Sequence, residues 1–197
     1  QKIQYEQDEL FATLDATTKD FSLQDEFTVT LTDTVGFIQD LPTELVQAFK
    51  STLEESKNVD LLLHVIDASD PNHQIHEDVV ASIMKDLGMS EIPVLTVYNK
   101  LDLADEQFAP TILPSVQISI KSEVGVQQLR QAIIAKITEL FVPFTLSLPY
   151  AAAYRLPMIR KIALLDAVVA DDETETYQVS GSISEREKWR LVEDGLC

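Results

Sequence analysis

Glycine is scarce in this chain. Its 197 residues include 5 glycines, Gly36, Gly88, Gly125, Gly181 and Gly195, where an average composition of about 7% would give roughly fourteen. They are too widely spaced for either the dinucleotide fingerprint G-x-G-x-x-G or the phosphate loop G-x-x-x-x-G-K-[ST] to occur in these residues. Cysteine is scarcer still. Cys197 is the only one, so no intrachain disulfide can form and a reducing compartment is expected. Apolar runs are short, such as 61–63 and 162–165, and fall far short of the roughly 20 residues of a membrane span. Basic charge is also in deficit, with 15 Lys and Arg against 33 Asp and Glu and a net charge of -18. An acidic chain of this kind is not expected to bind nucleic acid nonspecifically, because that binding neutralises phosphates with Lys and Arg.

What remains is an ordinary globular composition, 45% hydrophobic and 24% charged, enough for one or two domains with real cores. The opening residues carry no basic-then-apolar leader pattern, so a soluble, cytoplasmic protein is expected. The acidity is uneven. Residues 1–142 hold 9 basic and 24 acidic side chains, residues 143–197 hold 6 and 9.

Periodicity divides the chain at the same place. Phe27, Val29 and Leu31 alternate with threonines, the period of a half-buried strand, and residues 21–23 can pair with it across the polar turn 24–26. Asp40-Leu41-Pro42 opens a helix with Leu45, Val46, Phe49 and Leu53 on one face. The run 60–67 is apolar and rich in branched residues, which predicts a strand buried on both faces of a parallel sheet. A helix follows after Ser69-Asp70-Pro71, its apolar side read as Ile75, Val79, Ile83 and Leu87 with Gly88 as its stop. Further strands are expected at 92–98 and 116–119, and a helix at 125–140. This alternation of strand and helix means crossover units in a doubly wound sheet. From residue 143 the pattern becomes a strand at 144–148, a helix at 150–165 disturbed by Pro157, a hairpin of 167–170 with 177–183, and a charged helix at 184–192. That order makes a small α+β domain. The expected domains are therefore 1–142 and 143–197.

Ligands of doubly wound sheets sit beyond the carboxyl ends of the strands, and three strands end in suggestive residues. Asp33-Thr34-Val35-Gly36 is D-x-x-G, common enough by chance to decide nothing alone. Asn99-Lys100-Leu101-Asp102 is N-K-x-D, expected by chance only about 0.03 times in a chain of this length, and Ser119-Ile120-Lys121 follows the next strand. Guanine recognition needs these residue types. A carboxylate accepts from both the ring N–H and the exocyclic amine of guanine, an asparagine amide both donates and accepts, and a lysine stem can lie along the base face. The Asp of D-x-x-G can hold a magnesium-bound water, and its Gly lets a backbone N–H approach a terminal phosphate. His73 and His76 read as a solvated helix face, His64 as a core histidine.

Five blocks in order, Phe11-Ala12-Thr13-Leu14-Asp15 with its following Ala-Thr-Thr, 33–42, 61–71, 99–102 and 119–121, resemble the HflX-type GTPases. The resemblance covers about residues 5–140, and more loosely the tail from Phe144. It implies an α/β fold: a doubly wound, P-loop-NTPase-like GTPase sheet lacking its first strand, followed by a small α+β domain. It further implies GTP binding and hydrolysis with magnesium, and association with the large ribosomal subunit. Carried across by position, Phe11, Ala12, Thr13, Leu14 and Asp15 form the first switch segment, with Thr13 on magnesium directly and Asp33 through water. Asp33, Thr34, Val35 and Gly36 sense the terminal phosphate. Asn99, Lys100, Leu101 and Asp102 read guanine, and Ser119, Ile120 and Lys121 shape the base pocket. Phe37 stands where Ras-like GTPases place a water-orienting glutamine, and no catalytic residue is assigned. Ile120 replaces the alanine usual in that motif. With no phosphate loop among the 197 residues, the chain is expected to be the C-terminal part of such a GTPase, inactive alone. A non-enzymatic module built on the same scaffold, docking on the ribosome or another protein, is the other expectation.

Overall fold

The computed structural model describes residues 17–33 and 59–193; the expected helix after Asp40 and the first switch segment lie outside them. Two compact units are formed, one from 1–19 with 30–121, the other from 20–29 with 122–197.

Strands β1 (Thr17–Gln24) and β2 (Phe27–Asp33) form a hairpin. Its two-residue turn places Asp25 at φ 46, a left-handed conformation that Asp tolerates. In the first unit, β3 (Leu62–Asp67), β4 (Val94–Asn99) and β5 (Ser115–Gln117) make a parallel sheet in that order. The β3 and β4 registers set Asp67 opposite Asn99, so the two strands end level. The expectation that β3 is buried on both faces needs correcting, since Val65 is 60% exposed. Among the described residues β3 is the edge of its sheet.

Helix α1 (His73–Asp86) links β3 to β4. It ends as Gly88 implies: the N–H of Gly88 bonds to the carbonyl of Lys85 and that of Met89 to the carbonyl of Met84, with Gly88 at φ 69. This is the double closure of a left-handed helix stop. Its buried face differs from the one read from sequence. Ile75 and Val79 are exposed, while His73 and Glu77 are buried. The helix is turned so that a polar pair faces inward, and His73 is thereby no solvated residue. His76, on the other side, pairs with Asp70 at 2.9 Å. His64 is partly buried, and that burial lowers its pKa.

The polar pair faces Tyr98, which is fully buried. The Tyr98 hydroxyl donates to Glu77 Oε1 at 3.0 Å and accepts the backbone N–H groups of Thr111 and Ile112 at 3.1 and 3.0 Å. Thr111 Oγ1 donates to Glu77 Oε2, and His73 Nδ1 lies 2.9 Å from Oε1. The rings of His73 and Phe108 stand edge-on to Tyr98, while Ile66, Ala68, Ala104 and Ile112 complete the apolar surround. Four polar groups, three of them buried, thus satisfy one another, the condition under which burial of a carboxylate is tolerated.

In the second unit, α2 (Glu123–Leu140) starts earlier than its glycine suggests, because Ser122 caps it by accepting the Gly125 N–H at 2.9 Å. Strands β6 (Val142–Pro149), β7 (Ala163–Asp171) and β8 (Thr176–Ile183) form an antiparallel sheet ordered β6-β8-β7. The expected helix over 150–165 is instead a 3-10 segment, Tyr150–Arg155, then α3 (Leu156–Ile162). Residues 163–165 belong to β7, where Leu164 and Leu165 pair with Ser182 and Gly181. Tertiary pairing overrides the apolar spacing that reads as helix. The β7 register shifts between Leu165 and Ala167, and there only glycine fits opposite. A Cβ on Gly181 would lie 2.2 Å from the Leu164 carbonyl oxygen. Phe144, Leu146, Leu148, Ile159, Leu165, Val179, Ile183 and Leu191 fill the core, the last from α4 (Glu185–Glu193).

Tyr98→Phe removes one hydroxyl and strands two backbone donors, while Glu77 Oε1 keeps His73, so a loss of about 1–3 kcal/mol is expected in urea unfolding of the first unit. Burial pushes the Glu77 carboxyl upward, but hydrogen bonds from Thr111, His73 and Tyr98 outweigh it and hold its pKa below the ordinary 4.5. Its stabilisation is therefore complete above about 4.5 and is lost as acid titrates the folded carboxylate. The stability difference between wild type and Glu77→Gln should accordingly shrink as pH is lowered through and below that value.

Candidate functional site

Strand β4 ends immediately after the buried tyrosine, and Asn99 is its last residue. Lys100 then takes φ 62, ψ 32, a left-handed conformation that costs a non-glycine residue about 1 kcal/mol and reverses the chain sharply. The 3-10 turn Leu101–Leu103 follows. The Leu101 N–H bonds to the Ile118 carbonyl at 3.1 Å and the Leu103 N–H to the Lys100 carbonyl at 2.8 Å. These bonds fold Asp102 back toward the residues that leave β5.

There Ser119 Oγ donates to Asp102 Oδ1 at 2.6 Å, and Lys121 Nζ lies 3.5 Å from Asp102 Oδ2. The hydrogen bond from Ser119, aided by the Lys121 charge, holds the Asp102 carboxyl below its usual range. Asp102 is consequently a fixed, ionised acceptor that remains partly open to solvent. Asn99 Oδ1 accepts the Ile120 N–H at 3.1 Å. With its oxygen committed, the asparagine presents its amide nitrogen as a donor. Asn99, Lys100, Asp102, Leu103, Ser119, Ile120 and Lys121 line one open cavity of about 240 Å³. Leu103 and Ile120, both exposed, give it apolar walls, so a planar ring could lie between them while Asp102 meets its edge.

Of the residues singled out from sequence, 99, 100, 102 and 119–121 thus converge, whereas Leu101 contributes its backbone to the turn and does not line the cavity. Sequence reasoning misses Leu103, for no spacing rule marks an apolar residue beyond the tetrad. Asp33 is exposed at the end of β2. Thr34, Val35, Gly36 and residues 11–15 lie outside the described residues. No cluster of three or more His, Cys, Asp or Glu suited to a metal ion occurs among the described residues. Of the two residues that the resemblance places on magnesium, Asp33 is described and Thr13 lies outside the described residues.

A parallel sheet with a crossover helix between β3 and β4, carrying N-K-x-D and S-x-K at the ends of adjacent strands around one cavity, defines a GTPase-like α/β domain. The likeness extends to known proteins. The model of the family described as 50S ribosome-binding GTPase matches residues 1–100, and this chain belongs to that family. Within it, the likeness is to the GTPases HflX. That of Alkalihalophilus pseudofirmus is 37% identical over 196 residues, covering 96% of this chain and 46% of that protein. That of Caldanaerobacter subterraneus is 48% identical over 134 residues, 66% of this chain and 30% of that protein. The Escherichia coli protein is 41% identical over 152 residues, with coverages of 74% and 35%. The chain therefore spans less than half the length of these relatives. Among solved structures, a GTP-binding protein from the hyperthermophilic archaeon Sulfolobus solfataricus in complex with GDP superposes with TM-score 0.50 at 29% identity, over 63% of this chain and 45% of that one. In the described residues no helix is long and apolar enough to cross a membrane.

Removing the Ser119 hydroxyl takes away the strongest influence on Asp102. In Ser119→Ala the Asp102 carboxyl should titrate closer to the ordinary 3.8, a rise to be followed by carbon-detected NMR of the side chain.

Proposed function

We propose that the cavity formed by 99–103 and 119–121 binds the guanine base of GTP and GDP, and that the chain is the base-reading part of a GTP hydrolase acting on the large ribosomal subunit. The observation that supports this is the pre-set polarity of the pocket. One ionised carboxylate is fixed by a hydroxyl and an ammonium, and one amide is oriented by a backbone N–H so that its nitrogen is free to donate. A carboxylate complements the paired donors on one edge of guanine, and the amide nitrogen complements an acceptor on the other. Adenine offers no such pair of donors, and leaving a fixed carboxylate unpaired against it is unfavourable.

In this proposal the phosphates and magnesium belong to the half built from Thr13 and 33–36, and hydrolysis requires the phosphate loop that these 197 residues do not contain. Backbone N–H groups of such a loop supply much of the phosphate affinity. The 197-residue chain should therefore bind guanosine, GDP and GTP weakly and within about tenfold of one another, and hydrolyse none of them. Family membership supports the ribosomal partner and a cytoplasmic place of action.

The test is titration of guanosine, GDP and ADP into the chain, followed by amide shifts of 99–121. Guanosine and GDP should move these resonances, ADP should not, and Asp102→Ala should weaken guanosine by about tenfold or more, the usual scale for a lost charge-assisted hydrogen bond. Equal responses to GDP and ADP would refute the reading. For the ribosome, co-sedimentation of the chain with purified large subunits, absent with small subunits, is the expected result.

A further inference from the structure

The block around Asp67 does not line the base pocket, yet it reaches into it through a lysine. Asp67 ends β3 directly opposite Asn99, and both of its carboxylate oxygens are engaged. Oδ1 accepts the Ser69 N–H at 2.9 Å and the Ser69 hydroxyl at 2.6 Å, and Oδ2 accepts the Lys100 ammonium at 2.6 Å. The Ala68 N–H bonds to the Asn99 carbonyl at 2.8 Å, so the two strand ends cannot slide past each other. Lys100 would otherwise be a long, freely rotating side chain, with much rotamer entropy to lose on ordering. With its backbone fixed in the turn and its head anchored at Asp67, the stem is held at both ends, and Lys100 helps to line the cavity.

We propose that Asp67, held in place by Ser69, is the positioning residue that fixes the methylene stem of Lys100 as the surface on which the base lies. The proposal rests on the base-binding reading of the pocket. An ordinary surface ion pair contributes little, and Lys100 is half exposed. What separates this pair from that case is geometry: the acceptor is locked by a second residue and by strand register before the lysine arrives, so ordering the lysine is the only cost left. The ammonium is more basic than usual because of its hydrogen bond to Asp67. Burial would push the Asp67 carboxyl up, but the bonds from Lys100 and Ser69 pull it down.

The experiment is a double-mutant cycle with a second, ligand-free readout. Asp67→Asn should weaken guanosine binding about 2- to 5-fold in the Lys100 chain, the range of a modest ion pair, and should have no further effect once Lys100→Met has removed the ammonium while keeping an apolar stem. A merely structural role for Asp67 would cost the same in both backgrounds, and that result overturns the proposal. Without nucleotide, trace acetylation by acetic anhydride, read by mass spectrometry, should find Lys100 slower than Lys121. Asp67→Asn should accelerate Lys100 while leaving Lys85 and Lys136 unchanged. An unaltered Lys100 rate also overturns it. If the wild type bound neither guanosine nor GDP, the base reading would fall, while the acetylation rates would still decide whether Asp67 holds Lys100.

Discussion

One buried hydroxyl joins helix, strand and loop in the first unit. Tyr98 sits in the strand immediately before Asn99, and its oxygen joins α1, through Glu77, to the backbone of the 111–112 segment that leads into β5. The segment from the N-K-x-D turn to β5 contains little regular structure, so it has few backbone bonds of its own to fix it. The tyrosine supplies them. A phenol can donate once and accept twice, and here that full capacity is spent on Glu77, Thr111 and Ile112. Buried polar networks of this kind are costly when incomplete and specifying when complete.

The carboxylate of Asp102 is oriented by other groups. Asp102 does not owe its position to its own strand. It is carried back by the left-handed turn at Lys100 and met by Ser119 and Lys121, whose place follows from the end of β5. The carboxylate acceptor is set by the protein's own groups, so a ligand meeting it would not need to reorganise it. The same logic holds one strand away, where Ser69 fixes Asp67 and Asp67 meets Lys100. Each of these side chains is thus backed by a hydroxyl or backbone group that orders it.

The second unit settles its architecture differently. Among its described residues there is no comparable polar hub; alternation along β6 and β8 and one glycine suffice. Gly181 lets the β7 backbone pass closely enough to pair in spite of the shift at Asp166, and Leu148, Ile159, Val179, Ile183 and Leu191 then bury completely.

Much of this was legible in the amino-acid order. Branched runs before N-K-x-D and S-x-K marked the parallel strands, Gly88 the helix stop, alternation the hairpins, and the rarity of the tetrad the pocket. These are local signals, in which backbone preference and side-chain period point to the same answer. What could not be read were the features that depend on partners distant in the chain. The inward face of α1 looks apolar by spacing, yet it carries His73 and Glu77, because Tyr98 and Thr111 wait there to satisfy them. Residues 163–165 look helical, but β8 offers a ladder. Asp67 and Asn99 are 32 positions apart in sequence and adjacent only through strand register. The sequence by itself determined which chemical groups stand at the strand ends. The tertiary structure alone decided which of them touch, since hydrogen bonds act over about 3 Å and only the folded sheet brings those ends within that distance.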